Sequence, residues 1–152
     1  ILEVGVYMGH SLLIILLANP KAKITCLDID DKYSLPAVNY LKKNFKEADI
    51  KFIKGDSLKL LESIKGQFDL YHIDGAHSPH IIAKEVLLCI ENNPFKKINI
   101  LFDDIDFMLE IKDKILENFT DVKEIQTNCK GRNCYLEFKF NNIQIKKFKI
   151  FY

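Results

Sequence analysis

Five times within its first 119 residues the chain repeats one rhythm: an apolar run of strand length, a polar or glycine-bearing turn, then apolar residues at helical spacing. The strand-like runs are 1–4, 24–29, 50–53, 68–73 and 98–102, and the helical stretches are 10–18, 35–45, 57–64, 79–90 and 107–119. Parallel strands cannot be joined by a tight hairpin. A helix-length crossover after every strand therefore points to a parallel sheet with helices on both faces, wound right-handedly. Local punctuation agrees: Asn19-Pro20 stops the first helix, Asp56 or Ser57 caps the third, Gly66 ends it, and Pro79 falls in the first turn of the fourth. After residue 120 the rhythm changes. Segments 122–127, 135–140 and 143–151 alternate like strands, joined by Lys130-Gly131-Arg132-Asn133 and Asn141-Asn142, which predicts an antiparallel edge. The expected fold is α/β, a doubly wound, mostly parallel sheet with an antiparallel C-terminal edge, in one domain over residues 1–152.

At 152 residues, 48% apolar and 28% charged, the chain is long enough for one sizeable core and too apolar to be disordered. A formal net charge of +1 gives no pull towards nucleic acid or an anionic membrane, and both are disfavoured as partners. The longest apolar run, 12–18, is too short to span a bilayer, and no targeting arm is recognisable, so a cytoplasmic location is expected. The chain opens on Ile-Leu-Glu-Val-Gly, already inside a core strand, so a native segment upstream is expected. None of the four cysteines makes a Cys-x-x-Cys pair, which argues against a zinc knuckle or a thioredoxin-type site. Cys26 and Cys89 read as small core residues, while Cys129 and Cys134 could face each other across a hairpin but are expected as free thiols. Lys139, Lys146, Lys147 and Lys149 read as charges protecting an edge strand, although an exposed closing strand could also pair across a homodimer.

In open sheets of this kind ligands bind beyond the carboxyl ends of the strands. Five strand ends carry distinctive groups: Glu3-x-Gly5-x-x-x-Gly9, Asp28, Gly55-Asp56-Ser57, Asp74 with His77, and Asp103-Asp104. Gly5 and Gly9 let backbone approach a ligand closely, or make a plain tight turn. Their spacing is not Gly-x-Gly-x-x-Gly, and no Gly-Lys-Ser/Thr follows, which argues against a dinucleotide or nucleoside triphosphate loop. Asp28 can accept two hydrogen bonds from a ribose diol, whereas Asp31 reads as a solvated helix-capping charge. Asp56 and Ser57 cap their helix, face an adenine, or do both.

Taken in order, Glu3-x-Gly5-x-x-x-Gly9, Leu27-Asp28-Ile29-Asp30, Lys54-Gly55-Asp56-Ser57, Ile73-Asp74-Gly75-Ala76-His77-Ser78 and Leu101-Phe102-Asp103-Asp104 resemble the class I S-adenosylmethionine-dependent methyltransferases. The last two pieces resemble the metal-dependent O-methyltransferase branch, including macrocin and cephalosporin-type enzymes and, more distantly, catechol methyltransferases. The resemblance covers residues 1 to about 120. It implies a Rossmann-like class I methyltransferase fold, S-adenosyl-L-methionine as cofactor, and Mg²⁺ or another hard divalent cation. It also implies a small-molecule substrate methylated on a hydroxyl, such as that of a sugar or natural product. Glu3, Gly5, Val6, Gly9, Asp28, Ile29, Asp56 and Ser57 would contact or support the cofactor. Asp74, Asp103 and Asp104 would hold the metal, and His77 would act with Asp74 in catalysis as the general base.

Elementary chemistry is consistent with that set. Converging carboxylates repel one another unless a cation lies among them, and oxygen-only ligands suit a hard ion. Such an ion lowers the pKa of a coordinated hydroxyl, and an imidazole titrates near neutral pH. His72, inside the fourth strand, reads as a hydrogen-bonded core residue, and His10 and His80 as solvated helix starts. A zinc site built from His72, His77 and His80 would leave Asp103-Asp104 unexplained. Two other readings stay open. One is a methyltransferase without metal, in which Asp103-Asp104 cap the fifth helix; the other is a non-catalytic ligand-binding domain of the same fold.

Overall fold

The computed structural model describes residues 1–66, 68–92, 97–103, 112–113, 122–125 and 134–139. The chain runs β1 (Leu2–Val4), α1 (His10–Ala18), β2 (Lys23–Asp28), α2 (Ser34–Asn44), β3 (Asp49–Lys54) and α3 (Ser57–Ser63), then β4 (Tyr71–Ile73), α4 (Pro79–Asn92), β5 (Lys97–Phe102), β6 (Val122–Glu124) and β7 (Cys134–Lys139). The seven strands form one sheet in the order β3-β2-β1-β4-β5-β7-β6. The first five are mutually parallel, and β7 runs antiparallel between β5 and β6. The α/β architecture with an antiparallel edge is thus the one the sequence pattern predicts.

Successive strand residues face opposite sides of the sheet, so a core forms on each face. Leu2, Val4, Leu27, Tyr71, Ile73, Ile100 and Phe102 bury with Leu61 of α3 and with Ile82, Val86 and Cys89 of α4. Ile24, Cys26 and Ile50 bury on the other face with Leu12 and Leu16 of α1 and Val38 and Leu41 of α2. Helix α1 is apolar on every side, so the sheet covers only part of it. Leu12 and Leu16 are fully buried, whereas Ile14 and Leu17 are 67% and 66% exposed.

Strand β4 is shorter than the run 68–73: pairing begins at Tyr71, which is in register with Leu2 of β1 and Ile100 of β5. Phe68, before the paired segment, packs edge-on to Tyr71 with ring centroids 5.5 Å apart. Strand β6 ends at Glu124, although Ile125 N–H still donates to Tyr135 O at 2.9 Å. Of the expected helix 107–119, only residues 112–113 are described, and they are helical. Segment 143–151 and the two closing turns lie outside the described residues. Cys26 and Cys89 are buried free thiols; Cys129 lies outside the described residues, as does the side chain of Cys134. No helix among the described residues is long and apolar enough to cross a membrane.

Asp56 caps α3 as its sequence position suggests, its Oδ1 accepting from Leu58 N–H at 3.0 Å. Asp56→Ala should therefore cost about 1 kcal/mol, read as a fall in Tm of about 3 °C, with Asp56→Asn close to wild type. An unchanged melting curve for the alanine variant would show that water caps the helix equally well.

Candidate active site

Past the last paired residues, the parallel ladder continues into the loops. Gly55 N–H donates to Asp28 O (2.8 Å), Gly5 N–H to Leu27 O (2.9 Å), Asp74 N–H to Val4 O (2.8 Å) and Asp103 N–H to Ile73 O (3.2 Å). Backbone bonds alone thus bring the carboxyl ends of β1 to β5 to one edge. Chain order reverses between β1 and β4, which is where open sheets leave a crevice. A cavity of about 610 Å³ occupies that place.

Of the residues expected at the site, Gly5, Asp28, Ile29, Asp56, Ser57, Asp74 and His77 line this cavity. Glu3, Val6, Gly9 and Asp103 are not on its wall, and Asp104 lies outside the described residues. Gly5 has φ +86°, and a Cβ there would lie 2.1 Å from Asp74 O and 2.7 Å from Gly75 Cα. The backbone that approaches Gly5 is therefore the chain's own β4–α4 loop. Gly9 has φ +76° and begins α1; a Cβ there would meet Ala37 Cβ at 3.1 Å, so this glycine serves the packing of α1 on α2.

Asp28 holds the β1–α1 turn. Its Oδ2 accepts from Val6 N–H and Tyr7 N–H, both at 2.9 Å, and its Oδ1 accepts from Asp30 N–H at 3.0 Å. A carboxylate offers about four acceptor positions, so about one remains, on Oδ1. That is room for one hydroxyl rather than the two of a diol.

Glu3 lies beneath the turn and is fully buried. Its Oε1 accepts from Ser11 Oγ at 2.5 Å and faces His72 Nδ1 at 3.3 Å, while Cys26 Sγ lies 3.7 Å from Oε2. One carboxylate thereby ties β1, α1, β2 and β4 together. Burial, followed by the charge of Glu3, pushes the Cys26 thiol far above its ordinary pKa, so it stays a proton donor. His72 is the hydrogen-bonded core residue its position in β4 suggests. His72, His77 and His80 do not form a metal cluster; among the described residues no three His, Cys, Asp or Glu side chains do.

Three features of this region are not evident from the sequence motifs. Tyr7 and Tyr33 both line the cavity and meet edge-to-face, with centroids 5.6 Å apart. Tyr7 adopts φ +46°, unusual for a residue with a Cβ, and its N–H bond to Asp28 helps to hold it there. The third is Glu85 on α4. It is fully buried, its Oε1 accepts from Ser57 Oγ at 2.5 Å, and its Oε2 meets no hydrogen-bond partner among the described residues. Burial pushes its carboxyl up to about 7, against the lowering effect of the Ser57 hydrogen bond, with Asp56 adding to the rise. Periodicity could have flagged Glu85, which lies on the buried stripe formed by Ile82, Val86 and Cys89.

Comparison with known proteins agrees with this fold. The family model described as a methyltransferase domain matches residues 2–105. The caffeoyl-CoA O-methyltransferase of Stellaria longipes is 32% identical over 94 residues, 57% of this chain and 39% of that protein. The chain spans about two fifths of the length of the curated relatives it matches. The SAH-bound methyltransferase PaMTH1 of Podospora anserina superposes with a TM-score of 0.71 at 18% identity, over 91% of this chain and 71% of that one. The O-methyltransferase TomG of Streptomyces achromogenes, solved with SAM, gives 0.71 at 18% identity over 92% of this chain and 72% of that one. The chain belongs to the methyltransferase-domain family and carries the fold of the class I S-adenosylmethionine-dependent O-methyltransferases.

Proposed function

We propose that this domain transfers a methyl group from S-adenosylmethionine to a hydroxyl of a small molecule, with a hard divalent cation bound at the acceptor end. One juxtaposition carries the reading. A single cavity joins Gly5, Asp28, Asp56 and Ser57 on the β1–β3 side to Asp74 and His77 on the β4 side. The first group has the chemistry of a nucleoside and amino-acid site, the second that of an acid–base site.

In this reading the cofactor lies along the β1–α1 turn, with Ile29 beside its ribose and Asp56 and Ser57 at its base. Asp28 accepts one ribose hydroxyl at Oδ1, since its Oδ2 is committed to Val6 and Tyr7. Val6 and Gly9 act through the shape of the turn, and Glu3 by anchoring it from below. The cofactor supplies an electrophilic methyl group on a positive sulfur. His77, on the cavity wall, takes the proton of the acceptor hydroxyl. The cavity holds both reactants at one edge, and their alignment supplies much of the rate.

The donor chemistry fits a hard cation. Asp74 and Asp103 end adjacent, paired strands, and both offer only oxygen. Asp104 is the proposed third ligand. A cation bound there would lower the pKa of the acceptor hydroxyl. By the same resemblance the acceptor is a hydroxyl on a sugar or other natural product.

Calorimetric titration of S-adenosylmethionine, with and without Mg²⁺, tests both halves. Wild type and Asp74→Ala/Asp103→Ala should both bind cofactor, and only wild type should show a magnesium heat, the double variant binding the ion at least about tenfold more weakly. Cofactor binding without any magnesium heat would leave a metal-independent methyltransferase. Absence of cofactor binding would overturn the reading in favour of a non-catalytic domain.

A further inference from the structure

Glu85 has no part in the reaction above, yet among the described residues it is the one fully buried carboxyl that touches a residue of the proposed nucleobase end. Ser57 has a single hydroxyl hydrogen, and it is donated inward to Glu85 Oε1. While Glu85 is ionised, Ser57 Oγ can offer a ligand only lone pairs. Its neighbour Asp56, also on the cavity wall, is a carboxylate whose Oδ1 already accepts from Leu58 N–H. Through its side chains this corner of the cavity therefore offers acceptors and favours a ligand group that donates, beside the backbone N–H groups that begin α3.

We propose that Glu85 is a positioning residue that sets base specificity: by holding the Ser57 hydrogen away from the cavity it makes this corner select an amino-purine over an oxo-purine. The proposal rests on the cofactor reading given above. Protonation of Glu85 reverses the polarity. The carboxylic acid then donates to Ser57 Oγ, the Ser57 hydrogen turns to the cavity, and a carbonyl oxygen becomes acceptable there. The Glu85 carboxyl, pushed up to about 7, makes this exchange in the physiological range. Among the described residues, the groups that act on it are Asp56 and Ser57 from the β3–α3 turn and Cys89 one turn along its own helix. None of them is a cation.

The test compares binding of S-adenosylhomocysteine with that of S-inosylhomocysteine, its oxo-purine analogue, by calorimetry between about pH 5.5 and about pH 8. Their ratio cancels effects common to both ligands, including those on folding. Wild type should favour the amino form about tenfold at the upper pH, one hydrogen bond's worth, and lose at least about threefold of that preference at the lower. Glu85→Gln, which cannot titrate, should show the same ratio at both ends. Ser57→Ala should also be flat, and it keeps the test open if the Glu85 variant folds poorly. A wild-type ratio independent of pH, or a pH dependence that survives in Ser57→Ala, overturns the proposal while leaving the cofactor reading intact. Failure of wild type to bind S-adenosylhomocysteine overturns both.

Discussion

Gly5→Ala should leave little folded protein, with or without ligand. The added methyl would lie 2.1 Å from Asp74 O, 2.5 Å from Asp74 C and 2.7 Å from Gly75 Cα, all of them backbone atoms. None can rotate away. Asp74 N–H is already bonded to Val4 O at 2.8 Å, which fixes the β4–α4 loop against β1 at the point of collision. The φ of +86° adds its own strain for any residue with a Cβ. A loss above about 4 kcal/mol is expected, placing this change in the severe tail of single substitutions. Gly9→Ala is the matched control, because its Cβ would meet a side-chain methyl at 3.1 Å, and a cost of about 1–2 kcal/mol is expected. Thermal melts without cofactor separate two roles for Gly5. If it served only to admit a ligand, the unliganded variant would melt like wild type.

The second large effect is a gain. Glu85→Gln should stabilise the protein above neutral pH and do little in acid. In the fold the carboxyl is raised from 4.5 to about 7, so the folded state holds this proton more tightly than the unfolded chain does. Below about pH 4.5 both states are protonated and there is no penalty; as pH rises towards about 7 the wild type loses stability, and beyond that the loss is constant. A rise from 4.5 to about 7 corresponds to about 3 kcal/mol. Allowing for the amide's own unpaired hydrogens, about 2 kcal/mol should remain, or about 5 °C in Tm at about pH 8. Melting curves across the range decide the matter. An advantage that does not shrink in acid would mean that shape, not charge, is the cause.

The strands, their order of chemistry and much of the cavity wall were legible because the relevant signals are local. A strand must end in a turn, and Asp28, Asp56, Asp74 and Asp103 stand where apolar runs stop. The cap made by Asp56 follows from one residue's place before a helix. What escaped depends on contacts between distant residues. Glycine at position 5 is readable as a close approach, but not that the approaching backbone is Asp74 and Gly75. An aspartate after β2 suggests ribose, but not that Val6 and Tyr7 already occupy one of its oxygens. Tyr7 and Tyr33 pair across two loops 26 residues apart in number, and no spacing rule connects them. Glu85 is on the buried face of an amphipathic helix, where a charge normally counts against burial; its partner Ser57 lies 28 residues earlier.

The four bonds that extend the ladder past the strand ends use no side-chain atoms. The distances between the β1–β5 termini are consequently set by backbone rather than side chains, with Gly5 and Gly55 held to glycine by their positive φ. Positions 74 and 103 behave as sockets in a fixed rail, placed by backbone whatever side chain they carry, whereas the carboxylates of Asp28 and Asp56 also hold the neighbouring turn and helix. Side-chain chemistry at such a socket can therefore change while the frame stays the same, so one backbone can carry many chemistries.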